Sequence, residues 1–312
     1  MLQAAADHYR SQQRLATAAL AAVVGEWSSI GGDFDAGWGR VGPRMVALLS
    51  SAQVGAARDA SAYIDMSLAE QRVTTAPVAS VVPSGAVGAY ALDGLTVGSL
   101  DSLLYGAVVH ARTGVAESLG DRLALGRSFL EIVVPSQVAD AGRAVTAAGI
   151  TARPRIGWTR LVNPPCCQRC AVLAGAWFRH NMGFARHPRC DCRHVPAAEA
   201  DWRDAGSFIG PDDVKDLTGD QRRAIKAGAD MNQVINSHRA GARSKDGMTT
   251  TEGRSVRGVA GRRLADASGA EKVAGQRYRR ATAARLTPAG IYTQTTTREE
   301  AVALLRRHGY LI

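Results

Sequence analysis

NPPCCQRCAVLAGAWFRHNMGFARHPRCDCRHVP, residues 163–196, holds all five cysteines of the chain (Cys166, Cys167, Cys170, Cys190, Cys192) and three of its seven histidines (His180, His187, His194). Cys167-x-x-Cys170 and Cys190-x-Cys192 are close pairs separated by nineteen residues, a span that lets a β-hairpin or loop bring both around one tetrahedral ion. Zinc takes thiolate sulfur at about 2.3 Å and imidazole nitrogen at about 2.0 Å, and four protein ligands leave no opening for water or substrate. The spacing therefore predicts a structural zinc site. Cys167, Cys170, Cys190 and Cys192 are the expected ligands, with His187 as substitute for Cys192 and a turn at Pro188 directing its neighbour inward. Gly175 and Trp177-Phe178 read as a turn and a short apolar strand covering the metal. Cys166 and His194 compete for the remaining positions.

Other chemistries fit less well. An odd cysteine count suits a disulfide framework poorly, and 312 residues do not need such staples. A thioredoxin-type Cys-x-x-Cys belongs between a strand and a helix of a βαβ unit; here Pro164-Pro165 precedes it and no βαβ pattern surrounds it. Cysteines that are simply buried are a further alternative. His180-Asn181 with His187 or His194 sketches a nuclease centre, but short His/Asn spacings arise often beside metal-binding cysteines.

Outward from this stretch, the flanks differ in texture. Residues 1–150 read as a helical docking domain: an apolar stripe from Leu2 to Trp27, a break at Gly31-Gly32, and a second helix opened by Pro43 in its first turn and running toward Glu70. Residues 73–97 read as an extended connector. Ser99 caps a third helix to about Arg112, Gly114 separates it from a fourth through Val133, and Pro135-Ser136 opens a fifth ending near Gly149. His8 and His110 are isolated there and read as surface or core residues. Residues 151–210 form the metal module, entered by the β-prone strand 155–162.

Residues 211–312 read as a basic, partly extended region. Thr218-x-x-Gln221 is a capping box for a short helix carrying Arg222, Arg223 and Lys226. Residues 239–287, rich in Gly, Arg, Ser and Ala, read as a flexible or extended arm, and Thr297-x-x-Glu300 opens a last helix stopped by Gly309. The fold class expected is mainly α, with a small α+β zinc-binding module and an extended basic C-terminal arm.

Charge follows the same division. Residues 1–150 carry 10 basic and 13 acidic side chains, and residues 151–312 carry 28 and 15. A basic half lies against phosphate, against an acidic protein surface, or against counterions alone. Its nucleic-acid candidates are Arg222, Arg223, Lys226, Arg262, Arg263, Arg279 and Arg280. No run reaches eighteen apolar residues, so no membrane span is expected.

Trp158-Thr-Arg-Leu-Val162, Cys167-x-x-Cys-Ala-Val-Leu-Ala-Gly175, the aromatic pair, and Phe184-Ala-Arg-His-Pro-Arg-Cys-Asp-Cys192 with a closing proline resemble the Mu F-like minor capsid, or head morphogenesis, proteins of tailed bacteriophages, particularly those infecting actinobacteria. Gly228–Asn236 and Thr287–Tyr310 are similar to the same group. The resemblance covers roughly residues 130–312 and is most specific over 158–196.

It implies a few-copy virion protein at the portal vertex or capsid interior, assembled in the host cytoplasm, with the portal protein, the major capsid or scaffold protein and double-stranded DNA as partners. It also implies a metal-binding core, carried over to Cys167, Cys170, Cys190, Cys192 and His187; Cys166 departs from the family's single leading cysteine. Some related chains are labelled capsid maturation proteases. No serine here lies in Gly-x-Ser-x-Gly, and no lysine lies in a phosphate loop. The expected role is structural, with a capsid maturation protease or a nonspecific DNA-binding zinc protein as alternatives.

Overall fold

The structure, a computed structural model, describes residues 2–80, 89–92, 96–187, 190–200, 202–206 and 208–311; of residues 89–92, 96, 97 and 204 it describes the backbone alone. The protein is mainly helical, 57% helix and 10% strand, with small sheets. It divides into two units, residues 1–162 with 174–207, and residues 163–173 with 208–312.

In the first unit, α1 (Gln3–Ser28), α2 (Phe34–Glu70), α3 (Leu100–Thr113) and α4 (Leu119–Thr151) bury one core. Trp27, Ile30, Met45, Leu49, Leu104, Leu130 and Val134 fill it, with alanines such as Ala19, Ala56 and Ala107 between them. Ser99 caps α3 as the sequence predicts, accepting from the Ser102 N–H at 3.2 Å. A hairpin of β1 (Ala89–Leu92) and β2 (Thr96–Ser99) replaces part of the extended connector expected over 73–97; residues 81–88 and 93–95 of that connector lie outside the described residues.

Both prolines expected to open helices lie inside them. α2 begins at the Asp33 cap, and Pro43 sits in its third turn. α4 begins at a Ser118/Asp121 capping box and runs through Pro135 as one helix rather than two. An interior proline costs about 3 kcal/mol. Leu130, Val134 and Val138 flank Pro135, and Val41 and Met45 flank Pro43, all fully buried in the shared core. Each such side chain contributes about 1.5–3 kcal/mol, so burial on both sides of the proline outweighs the missing hydrogen bond.

The same unit carries an antiparallel sheet of β3 (Ile156–Leu161), β4 (Trp177–Phe178) and β5 (Arg193–Ala198), in the order β4-β3-β5. Thr159 pairs with Val195 and Leu161 with Arg193. The outer edge of β5 is covered by α2: Tyr63 Oη donates to His194 O at 3.0 Å and Gln71 Nε2 to Pro196 O at 2.8 Å. Pro196, with no N–H to leave unpaired, suits that edge. Trp158 stacks on Phe178 at 4.3 Å on one face of the sheet. His8, read from sequence as an isolated residue, is buried on α1, bonded to Asp59 at 2.6 Å and stacked on Tyr63.

The second unit contains α5 (Gln168–Leu173), α6 (Gly219–Lys226), α7 (Met231–Ser237), α8 (Val259–Ser268), α9 (Pro288–Thr293) and α10 (Arg298–Arg307). Two-residue ladders join β6 (Thr249–Thr250) to β9 (Arg285–Leu286) and β7 (Ala270–Glu271) to β8 (Arg280–Ala281). The predicted capping boxes at Thr218 and Thr297 both form.

Residues 239–287 are not an extended arm. They fold around Arg285, whose side chain is buried and donates to His308 O at 2.8 Å, Glu252 O at 3.2 Å and Gln233 Oε1 at 3.2 Å, while lying 4.2 Å over the Tyr310 ring. Ala224, Val234, Ile291, Leu305 and Tyr310 form the accompanying apolar core. Gly261 explains part of the glycine-rich texture, because a Cβ there would meet Ser255 O at 1.9 Å.

Two predictions follow from this packing. On α4, a Cβ at Gly126 would meet the Trp27 ring at 2.0 Å. Gly126→Ala is expected to destabilise by about 1–3 kcal/mol, seen as a lower denaturant midpoint at unchanged slope; an unchanged midpoint contradicts the packing.

In the second unit, His308 Nδ1 accepts the Leu286 N–H at 3.1 Å and must be unprotonated to do so. Burial, then Arg307 and Arg285, push its pKa down from 6.5 to about 4. The unfolded imidazole takes a proton near 6.5 and the folded one only near 4, so this stability is complete above about 6.5 and is lost as the pH falls through 4. Urea midpoints are expected to fall between pH 7 and 4, with a flatter profile for His308→Gln; parallel profiles would contradict the assignment.

Candidate metal centre

Two short backbone features set out the sulfurs. At the start of α5, Cys167 O accepts the N–H groups of Cys170 (3.1 Å) and Ala171 (3.0 Å), closing a turn that brings both cysteines of Cys-x-x-Cys to one side. The Cys170 N–H also approaches Cys167 Sγ at 3.4 Å. Ahead of β5, the Cys190 N–H donates to His187 O at 3.0 Å, so His187 turns back over the Cys190-x-Cys192 pair. The Pro188 expected to make that turn lies outside the described residues.

Two triads of metal-ligating atoms result, Cys167/Cys170/His187 and Cys170/Cys190/Cys192, each with its ligand atoms within 4.8 Å of one another. They share Cys170, and together they comprise all five ligands expected from the sequence. Cys170, Cys190 and Cys192 are buried and Cys167 is half-buried. Such a set could hold a metal ion. His187, expected as a substitute for Cys192, stands instead with Cys167 and Cys170. Cys166 is in neither triad; its backbone pairs with Asp213 O (2.8 Å) and the Lys215 N–H (2.7 Å).

The side chain that sequence reasoning missed is Arg143 of α4. Buried beneath the Cys-x-Cys segment, it donates from Nε to Cys192 O (3.0 Å), from Nη2 to Cys192 O (2.9 Å) and Cys190 O, and from Nη1 to Asp140 Oδ1 (2.8 Å). Arg193 donates to Asp191 O (2.6 Å) and Cys192 O (3.1 Å), and Asp191 is held by the Tyr9 hydroxyl at 2.8 Å. Burial, followed by the charge of Arg143, pushes Arg193 down to about 10, so it stays protonated at neutral pH. Burial and then Arg143, Arg160 and Arg193 push His194 well below its ordinary range, and the imidazole is neutral. Nothing in the local sequence signals that an arginine 47 residues upstream meets the cysteine segment.

The other predicted residues are placed as follows. His180, Asn181 and His194 line a single cavity, whereas His187 is in the first triad. Six of the seven basic candidates have side-chain partners within the chain. Arg222 and Lys226 both pair with Asp212 at 3.1 Å; Arg223 pairs with Asp220 at 2.9 Å and covers Tyr292. Arg262 donates to Arg257 O (3.3 Å), Arg263 to Arg306 O and Leu311 O (2.7 Å each), and Arg279 to Ala270 O (2.5 Å); Arg280 stands opposite Glu271 in β8.

No family model, no curated protein and no solved structure matches this chain.

Arg143→Ala removes the charged donor to the Cys190 carbonyl and leaves the Cys192 carbonyl with Arg193 in place of two guanidiniums. The expected loss is about 2–4 kcal/mol of stability, measurable by chemical denaturation. A variant as stable as the parent would show that the guanidinium does not hold the segment.

Proposed function

We propose that the cysteine and histidine cluster holds a structural zinc ion, and that the protein is a phage minor capsid, or head morphogenesis, protein whose mechanism is binding rather than turnover. The observation that carries the metal reading is the sharing of Cys170 between two ligand triads. Cys167, Cys170, Cys190 and Cys192 would complete a closed tetrahedron, with His187 as the alternative fourth ligand. The donor chemistry fits: sulfur-rich, closed sets select zinc over magnesium or calcium, which prefer oxygen. Zinc with four thiolates carries two negative charges, and the buried guanidiniums of Arg143 and Arg193 on the Cys190–Cys192 backbone supply the opposite sign.

The place of action rests on the resemblance over 158–196 and on charge. Residues 208–312 carry 19 basic against 11 acidic side chains. In this reading the protein sits at the portal vertex or capsid interior, bound to portal and to major capsid or scaffold protein, with its basic region facing double-stranded DNA. Among the described residues, no helix is long and apolar enough to cross a membrane.

Elemental analysis of fully reduced protein is expected to find about one zinc per chain. Structural zinc in isolated finger peptides contributes on the order of 10 kcal/mol. A third of that, at about 2–4 °C per kcal/mol, lowers the thermal midpoint by about 10 °C on chelation or in Cys170→Ser. Protein free of metal and indifferent to chelator contradicts the zinc reading. For the phage role, DNA-emptied heads should retain the chain at low copy number; heads lacking it contradict that role while leaving the metal untouched.

A further inference from the structure

A cavity of about 340 Å³ opens between α4, the 179–187 loop and His194 of β5, and its lining is rich in cations and hydrogen-bond donors. Arg143 and Arg186 both line it, joined by Asp140, whose Oδ1 accepts from Arg143 at 2.8 Å and whose Oδ2 accepts from Arg186 at 2.5 Å. Asp140 is the one carboxylate among the described lining residues, and two guanidiniums share it. The trio therefore keeps a net positive charge.

A third guanidinium stands behind the wall. Arg160 lies 3.9 Å over the ring of Phe184, a lining residue, and Arg143 covers the same ring at 5.2 Å. Its Nη2 donates to Ala185 O at 2.7 Å, while Nε and Nη1 are buried without a hydrogen-bond partner. On the open side, the exposed His180 and Asn181 add an imidazole and a carboxamide.

Arg143 spends its donors on the Cys190 and Cys192 carbonyls and on Asp140, whereas Arg186, held through Nη2 by the same carboxylate, presents its remaining N–H groups in a planar fork, the geometry that receives oxyanions. Arg186, Asn181 and His180 offer donors from three separate side chains. A tetrahedral anion with three free oxygens can give each donor its own oxygen, whereas a carboxylate must share two among three. The volume exceeds that of the anion itself, leaving space for an esterified group. We propose that this cavity binds a phosphate monoester. The site does not depend on which metal, if any, the cysteines hold.

The test titrates inorganic phosphate, dAMP, acetate and a DNA duplex without terminal phosphates into the full-length chain at constant ionic strength, read by calorimetry. Phosphate and dAMP are expected to bind saturably, with acetate at least tenfold weaker. Arg186→Ala should weaken phosphate at least tenfold without lowering the thermal midpoint of phosphate-free protein, since Asp140 keeps Arg143. Asn181→Ala provides a second, exposed probe with the same expected direction. Tighter binding of dAMP than of phosphate identifies a nucleotide as the source; equal affinities identify free phosphate. No saturable binding of phosphate, acetate binding as tightly, unchanged affinity in both variants, or binding of the duplex alone would each overturn the proposal.

Discussion

The buried guanidinium of Arg143 meets the carbonyls of Cys190 and Cys192 and the carboxylate of Asp140 at once, and the course of the chain into β5 depends on it. Residues 190–192 form no regular structure of their own, so their buried carbonyls need partners from elsewhere. A planar cation held by a long helix meets two of them, and Arg193 adds donors to Asp191 O and Cys192 O. The helix in turn is positioned by apolar burial, with Leu130, Val134 and Val138 in the main core of the first unit. Core packing thereby fixes where two of the sulfurs lie.

Buried arginine is a recurring device in this chain. Arg285 in the second unit joins His308, Glu252 and Gln233 much as Arg143 joins the cysteine segment. With aromatics only 5% of the residues, neither unit has many large rings to fill space. Alanine and glycine allow close helix approach in the first unit, and a guanidinium stacked on Tyr310 helps organise the second. A buried charge of this kind is costly unless every donor finds an acceptor. The backbone carbonyls of short, irregular segments provide them.

Local signals were legible in the sequence and distant ones were not. Ser99, Thr218 and Thr297 cap helices because the cap is a contact over three residues. The cysteine spacing marked all five members of the two triads, since sulfur chemistry narrows what so tight a cluster is for. Pro43 and Pro135 were misleading because the burial that carries a helix through them comes from other helices. Residues 239–287 read as an arm because their ladders are two residues long and their hub, Arg285, is a charged residue in a region already full of them. The link from Arg143 to the Cys190–Cys192 segment had no local trace, and neither did the meeting of Arg186 with Asp140.

A metal at Cys170 and its neighbours is the claim on which the functional account turns, and X-ray absorption at the metal edge of the full-length, reduced protein tests it most directly. The account predicts a first shell dominated by sulfur at about 2.3 Å, with at most one nitrogen at about 2.0 Å. A shell of oxygen and nitrogen alone, with no sulfur scatterer, would contradict it.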